Sequence, residues 1–272
     1  PTPTPVSPTS ASSTQGARFV NLNPTVRAHP EAVFIKRTHV QAKTDSAAKR
    51  DEGQRLAREL FAPDSDAGIP LSHLLAIKAN VTCTSGKGNT PQGMGIITDV
   101  DFVEGVITGL QDVGFPADRM HLHEGNWLQD GYCAGDLPST GYPEMAERTG
   151  IHLFDLPGGR DMTQQRLDTL REGQEVIWKD VPDGVVFKRI GYVAPYNQAD
   201  SWLLNIAKLK AHGMGMTLSV KNLQGMCVSP HVHFCEGVSE TLKHPARIRG
   251  DFQPDLEEHV AALHAEHVKA GI

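Results

Sequence analysis

The stretch "HLLAIKANV", residues 73–81, decides the fold. Apart from His73, Lys78 and Asn80 it is apolar throughout, so it reads as a strand buried on both faces, as in a parallel sheet. Downstream, "TCTSGKGNTPQGMG" (82–95) holds four glycines and a proline, too loose for a regular element. It delivers the chain to "TDVDFVEGVITGLQDVG" (98–114), where Val103, Val106, Ile107 and Leu110 recur with helical period. Thr98 and Asp101 resemble a capping box with Asp in place of Glu, and Gly114 is placed to end the helix. A strand "RMHLHE" (119–124), a loop over 125–141, a short helix "YPEMAERTG" (142–150) and a strand "IHLFDL" (151–156) follow. Strands alternating with helices predict an α/β fold: a mainly parallel sheet with flanking helices in Rossmann-like layers.

Outward from this unit the pattern is less regular. Upstream, "EAVFIKRTHV" (31–40) reads as a strand and "TDSAAKRDEGQRLARELF" (44–61) as a helix with Leu56, Leu60 and Phe61 on its apolar side. Downstream, the polar residues 158–184 suggest a helical excursion or small insertion, and "GVVFKRI" (184–190) and "SWLLNIAKLK" (201–210) two further strands, the first antiparallel at an edge. Leu256, Val260, Leu263 and Val268 approximate an amphipathic helix at the end, with Pro254 suited to its first turn. The expected organisation is a Pro/Thr/Ser-rich tether over residues 1–18 and a single α/β domain over 19–272. Such tethers follow a removed signal peptide, which gives a periplasmic or extracellular expectation, with a cytoplasmic protein bearing a polar tail as the alternative.

Composition bounds the function. The 272 residues are 39% hydrophobic and 21% charged, enough for a sizeable core. A net charge of −6 provides no field for gathering nucleic acid, and no apolar run is long enough to span a membrane. Four cysteines without a CxxC make neither a disulfide scaffold nor a ferredoxin-type cluster. Nothing in the chain sets an oligomeric state.

Ligands of open α/β sheets sit outside the carboxyl ends of the strands, and several conspicuous polar residues fall there. Lys78 and Asn80 end one strand, His121, His123 and Glu124 another, and Lys208, Lys210 and His212 a third. The segment "NIAKLKAHGMGMTLSVKNLQG" (205–225) then adds Thr217, Lys221 and Asn222 around its glycines. Lysine offers a point charge for phosphate or carboxylate, histidine a proton near neutral pH, and a carboxamide both a donor and an acceptor. The reading is a crevice for a small anionic molecule or a phosphate-bearing cofactor, with Lys210 and His212 as catalytic candidates and Lys78, Asn80, Thr217, Lys221 and Asn222 binding. A snorkelling Lys78 and a merely solvated lysine-rich loop are the bland alternatives.

A second constellation competes. His121 and His123 share a strand face by period two, and "CVSPHVHFC" (227–235) supplies Cys227, His231, His233 and Cys235, so a transition metal is a candidate cofactor, with His231, His233 and Cys235 its leading ligands. The alternative function is therefore a metal-binding or electron-transfer accessory protein without turnover. Thirteen histidines in one chain also generate such pairs by chance.

"LLAIKANVT", "TDVDFVEGVITGLQDVGF", "MHLHEGNW" and above all "LLNIAKLKAHGMGMTLSVKNLQG" resemble the domain of unknown function 362 family over residues 74–235. There a "KPN"-type strand, a "TDP"-type helix start, a "K-T-H" strand end and a "T-x-x-x-KN-x-x-G" turn recur in this order. Ala79, Val100 and Ala211 depart from these patterns without removing a polar group. Members of the family continue past a segment like 253–272 into another α/β half, which implies that this chain is incomplete relative to the full domain. The family is uncharacterised, so the resemblance implies a site more than a reaction. A remoter likeness to the N-terminal domain of lactate-racemase-type proteins implies redox or isomerase chemistry, with His212 as acid/base and Lys210 and Lys221 holding a cofactor or carboxylate.

Overall fold

The computed structural model describes residues 18–81, 90–91, 94–125, 140–156, 171–183, 189–212 and 215–227. In chain order these form β1 (Phe19–Leu22), α1 (Pro24–Arg27), α2 (Ser46–Leu60), β2 (Phe61–Asp64), β3 (Ile69–Pro70), β4 (Leu74–Ala79), α3 (Val100–Asp112), β5 (Met120–Gly125), α4 (Tyr142–Thr149) and β6 (His152–Leu156). After them come β7 (Val176–Asp180), β8 (Arg189–Val193), β9 (Ser201–Ile206), β10 (Lys210–His212), β11 (Gly215–Thr217) and α5 (Ser219–Leu223). The central sheet has the order β6-β5-β4-β9, with every neighbouring pair parallel. There are also small antiparallel sheets, β2-β1-β3, β7-β8 and β10-β11. The fold is α/β, as expected.

The two faces of the central sheet differ in chemistry. By alternation Leu75, Ile77, Ala79, Met120 and Leu122 share one face and belong to a single buried cluster with Val103, Ile107 and Leu110 of α3. The pairings Ala76↔His121, His121↔His152 and Lys78↔Asn205 put polar residues on the opposite face. The sequence reading of a strand buried on both sides holds for β4, but one of its faces is buried against polar groups.

Helix α3 is held by α2 at unusually close range. Among the residues of α2 that are buried, Lys49, Glu52, Gly53 and Ala57, none is a large aliphatic. A Cβ on Gly105 would run into the Arg50 carbonyl, and one on Gly109 would lie 2.6 Å from Ala57 Cβ. The predicted stripe of Leu56, Leu60 and Phe61 is therefore corrected: these residues are only half-buried, and the small residues make the contact because they let the backbones touch. Across the same interface Lys49 Nζ lies 2.8 Å from Asp99 and 2.9 Å from Asp101, and Arg50 Nη1 lies 2.8 Å from Asp101. Burial works against charge on Lys49, but hydrogen bonds to Asp99 and Asp101 outweigh it and its pKa is raised. Burial likewise opposes ionisation of Asp101, and hydrogen bonds from Ser46 and Lys49 overcome it, leaving its pKa lowered.

Other expectations shift. Asp99, not Thr98, is the N-cap of α3, accepting from the amides of Asp101 (3.1 Å) and Phe102 (3.3 Å). Residues 31–40 are irregular rather than a strand; among the described residues no strand pairs with them, and Val33 and Ile35 are left 84% and 92% exposed. Part of the 158–184 excursion is strand β7, paired antiparallel with β8 in a sheet of its own, while residues 157–170 lie outside the described residues. "SWLLNIAKLK" is not one strand: β9 ends at Ile206, and Lys210 belongs to the β10–β11 hairpin. Residues 1–17 of the expected tether over 1–18, and the helix expected from Pro254 onward, lie outside the described residues. Among those described, no helix is long and apolar enough to cross a membrane.

Gly105→Ala is expected to force α2 and α3 apart and lower stability by roughly 1–3 kcal/mol, the usual cost of overpacking, read as a shift in urea midpoint. Lys49→Met leaves Asp99 and Asp101 without their buried cation, and about 3 kcal/mol should be lost by the same measurement. A variant as stable as the parent would mean that the interface relaxes freely.

Candidate functional site

The strand order reverses beside β4. The chain runs outward from β4 to β5 and β6 and then returns to place β9 on the other side of β4. In open α/β sheets the carboxyl ends flanking such a reversal form a crevice, because the connections leave in opposite directions. The last pair of the β4–β9 ladder is Ala79↔Ile206, so the crevice opens beyond these two residues.

Four of the predicted side chains meet there. Lys78 is 1% exposed, and its Nζ donates to the Ala79 carbonyl and to Asn222 Oδ1 at 3.2 Å. Asn222, 3% exposed on α5, donates from Nδ2 to the Lys78 carbonyl at 3.0 Å and to Asn205 Oδ1 at 2.8 Å. Lys210 Nζ donates to Asn80 Oδ1 at 2.9 Å and to the Ile96 carbonyl at 2.6 Å. Asn205 closes the set through Nδ2 to the Ser219 carbonyl at 3.0 Å. The carboxamides of Asn80 and Asn222 each accept from one lysine, which fixes where both ammonium groups stand.

The remaining candidates divide. Lys221 is half-buried on α5 next to Asn222. Thr217 and His212 occupy hairpin positions paired with Lys210 and Gly215; their side chains lie outside the description. His231, His233 and Cys235 also lie outside the described residues. His121 and His123 do share a strand face, with nearly parallel rings 6.1 Å apart, and His152 on β6 brings its ring within 4.7 Å of His121. Among the described residues, no group of three or more His, Cys, Asp or Glu side chains is arranged to hold a metal ion. Burial pushes the Cys227 thiol up to about 11, so near neutral pH it is a thiol rather than a thiolate.

Three contributors escaped the sequence reading of the site. Asn205 carries the same signal as Lys78, one polar residue in an apolar strand. His152 and Tyr196 complete the histidine face: the Tyr196 hydroxyl donates to the His123 carbonyl at 3.0 Å, and its ring meets the His123 ring edge-on at 5.8 Å. Only the register of β5 with β6 reveals His152.

A family model described as "Domain of unknown function (DUF362)" matches residues 75–265. No curated protein and no solved structure matches the chain, and nothing in these comparisons shows the lactate-racemase likeness.

Burial, and then the neighbouring His121 and His152, drive the His123 pKa down from 6.5 to about 3. Between these values the unfolded chain takes up a proton that the fold refuses, so this contribution to stability is complete above pH 6.5 and is lost as the pH falls toward 3. Urea midpoints measured from neutral pH down to pH 4 should fall steadily in the parent protein and fall less in His123→Phe. Equal slopes would show that His123 charges freely.

Proposed function

The chain belongs to the domain of unknown function 362 family, and we propose that this member binds a small anionic ligand, or the phosphate of a cofactor, in the crevice beyond β4 and β9. One observation carries the reading. Two hydrogen-bonded pairs, Lys78 with Asn222 and Lys210 with Asn80, join residues 144 and 130 positions apart at the point where the strand order reverses. Two ammonium groups in a largely buried setting attract an anion far more strongly than they would in water, because the low local dielectric screens them poorly. Asn80 and Asn222 orient those groups in advance, so little reorganisation is needed when a ligand arrives.

The hairpin supplies the chemistry in this reading. Lys210 reaches Asn80 from β10, and His212, two residues on in the same strand, is the acid/base candidate, since an imidazole can take or give a proton near neutral pH. Thr217, paired with Lys210 across the hairpin, and Lys221 on α5 are the further binding candidates. An acid/base group beside a held carboxylate or phosphate suits redox or isomerase chemistry on a small acid.

Isothermal titration with inorganic pyrophosphate and with malonate tests the reading. The parent protein should bind at least one probe, and Lys210→Ala should weaken that binding by roughly 10- to 100-fold, the scale of a lost hydrogen bond to a charged group. Lys221→Ala should cost less, since Lys210 is the lysine held in place by Asn80 and the Ile96 carbonyl. A parent protein that binds neither probe, or a Lys210→Ala variant that binds as the parent does, overturns the assignment.

A further inference from the structure

We infer that Thr98 is a positioning residue of the crevice, the group that sets the gap Lys210 spans. Thr98 is 4% exposed and every polar atom it has is engaged. Its amide donates to the Asn80 carbonyl at 2.7 Å, while the Asn80 amide donates back to Thr98 Oγ1 at 3.0 Å. The same hydroxyl donates to the Ile206 carbonyl at 2.9 Å, and the Thr98 carbonyl accepts the Tyr142 hydroxyl at 3.0 Å. Thr98 thus takes over where the β4–β9 ladder stops, joining the residue after β4 to the last residue of β9 through one oxygen.

The consequence falls on Lys210. Its ammonium bridges Asn80 Oδ1 and the Ile96 carbonyl, the first on the segment that Thr98 clasps and the second on Thr98's own segment, two residues before it. A serine preserves the clasp and a valine does not, since valine matches the shape but can neither accept from Asn80 nor donate to Ile206. Asp99, the next residue, caps α3 and receives Lys49, so the clasp is anchored to the α2–α3 interface rather than to a free loop. The inference rests on the anion-binding reading only for what the clasp serves; the clasp itself is judged by the state of Lys210.

The test is acetylation of the folded protein with a limiting acylating reagent, followed by peptide mass spectrometry, with exposed Lys179 as the internal reference. In Thr98→Val the labelling of Lys210 relative to Lys179 should rise about fivefold, the scale of one lost buried hydrogen bond, and Thr98→Ser should stay within about twofold of the parent. Unchanged labelling in Thr98→Val, or an equal rise in Thr98→Ser, overturns the inference. If Thr98→Val yields no folded protein, Tyr142→Phe, which frees the Thr98 carbonyl and leaves the hydroxyl in place, should raise Lys210 labelling measurably, and no change overturns it. Pyrophosphate titration of the same samples keeps the two ideas apart: a parent protein that binds no anion refutes the binding reading, while the labelling ratio still decides the role of Thr98.

Discussion

Parallel pairing of β4 with β9 is the constraint from which the rest of the molecule follows. β9, which follows β5 and β6 in the chain, joins the sheet on the opposite side from them, beside β4. Two carboxyl ends then lie next to one another with their connections diverging, and backbone groups around the end of the ladder need partners from elsewhere. Thr98 supplies them for Asn80 and Ile206, and Asn222 does so for the Lys78 carbonyl. Polar side chains gather at this point because the ladder ends there in a buried setting, where an unsatisfied backbone group is costly.

The division of the sheet into two unlike faces separates stability from chemistry. Leu75, Ile77, Met120 and Leu122 pack with α3, and burying aliphatic side chains of this size is the main favourable term in such a core. The opposite face gives up part of that gain to hold Lys78, His121, His123, His152 and Asn205. A lysine 1% exposed is an expensive choice unless its ammonium is bound, and the carbonyl of Ala79 and the carboxamide of Asn222 bind it.

The α2–α3 contact connects these two roles. Gly53, Gly105 and Gly109 let the helices approach until their backbones touch, which brings Lys49 within reach of both Asp99 and Asp101. The start of α3 is thereby fixed, and Thr98 immediately precedes it. A packing feature of the apolar layer thus determines where a polar residue of the crevice stands.

The sequence by itself determined the elements whose signals are local. The apolar run of β4, the helical period of α3, the stop at Gly114 and the strand–helix–strand succession through β6 each depend on residues within a few positions of one another, and they specify an α/β sheet with Lys78 and Asn80 at a carboxyl end. Only the tertiary structure decided which strand lies beside β4, and with it the meeting of Lys78 with Asn222, 144 residues away, and of Lys210 with Asn80, 130 residues away. It also decided that "AVFI" at 32–35 joins no sheet among the described residues, since an apolar pattern declares a preference for pairing but cannot supply the partner. Thr98 shows the same limit: a threonine before a helix reads as a cap, and its use as a bridge between two strands exists only once both strands are in place. Hydrophobic periodicity is written along the chain, whereas hydrogen bonds between distant segments depend on strand order, which periodicity does not encode.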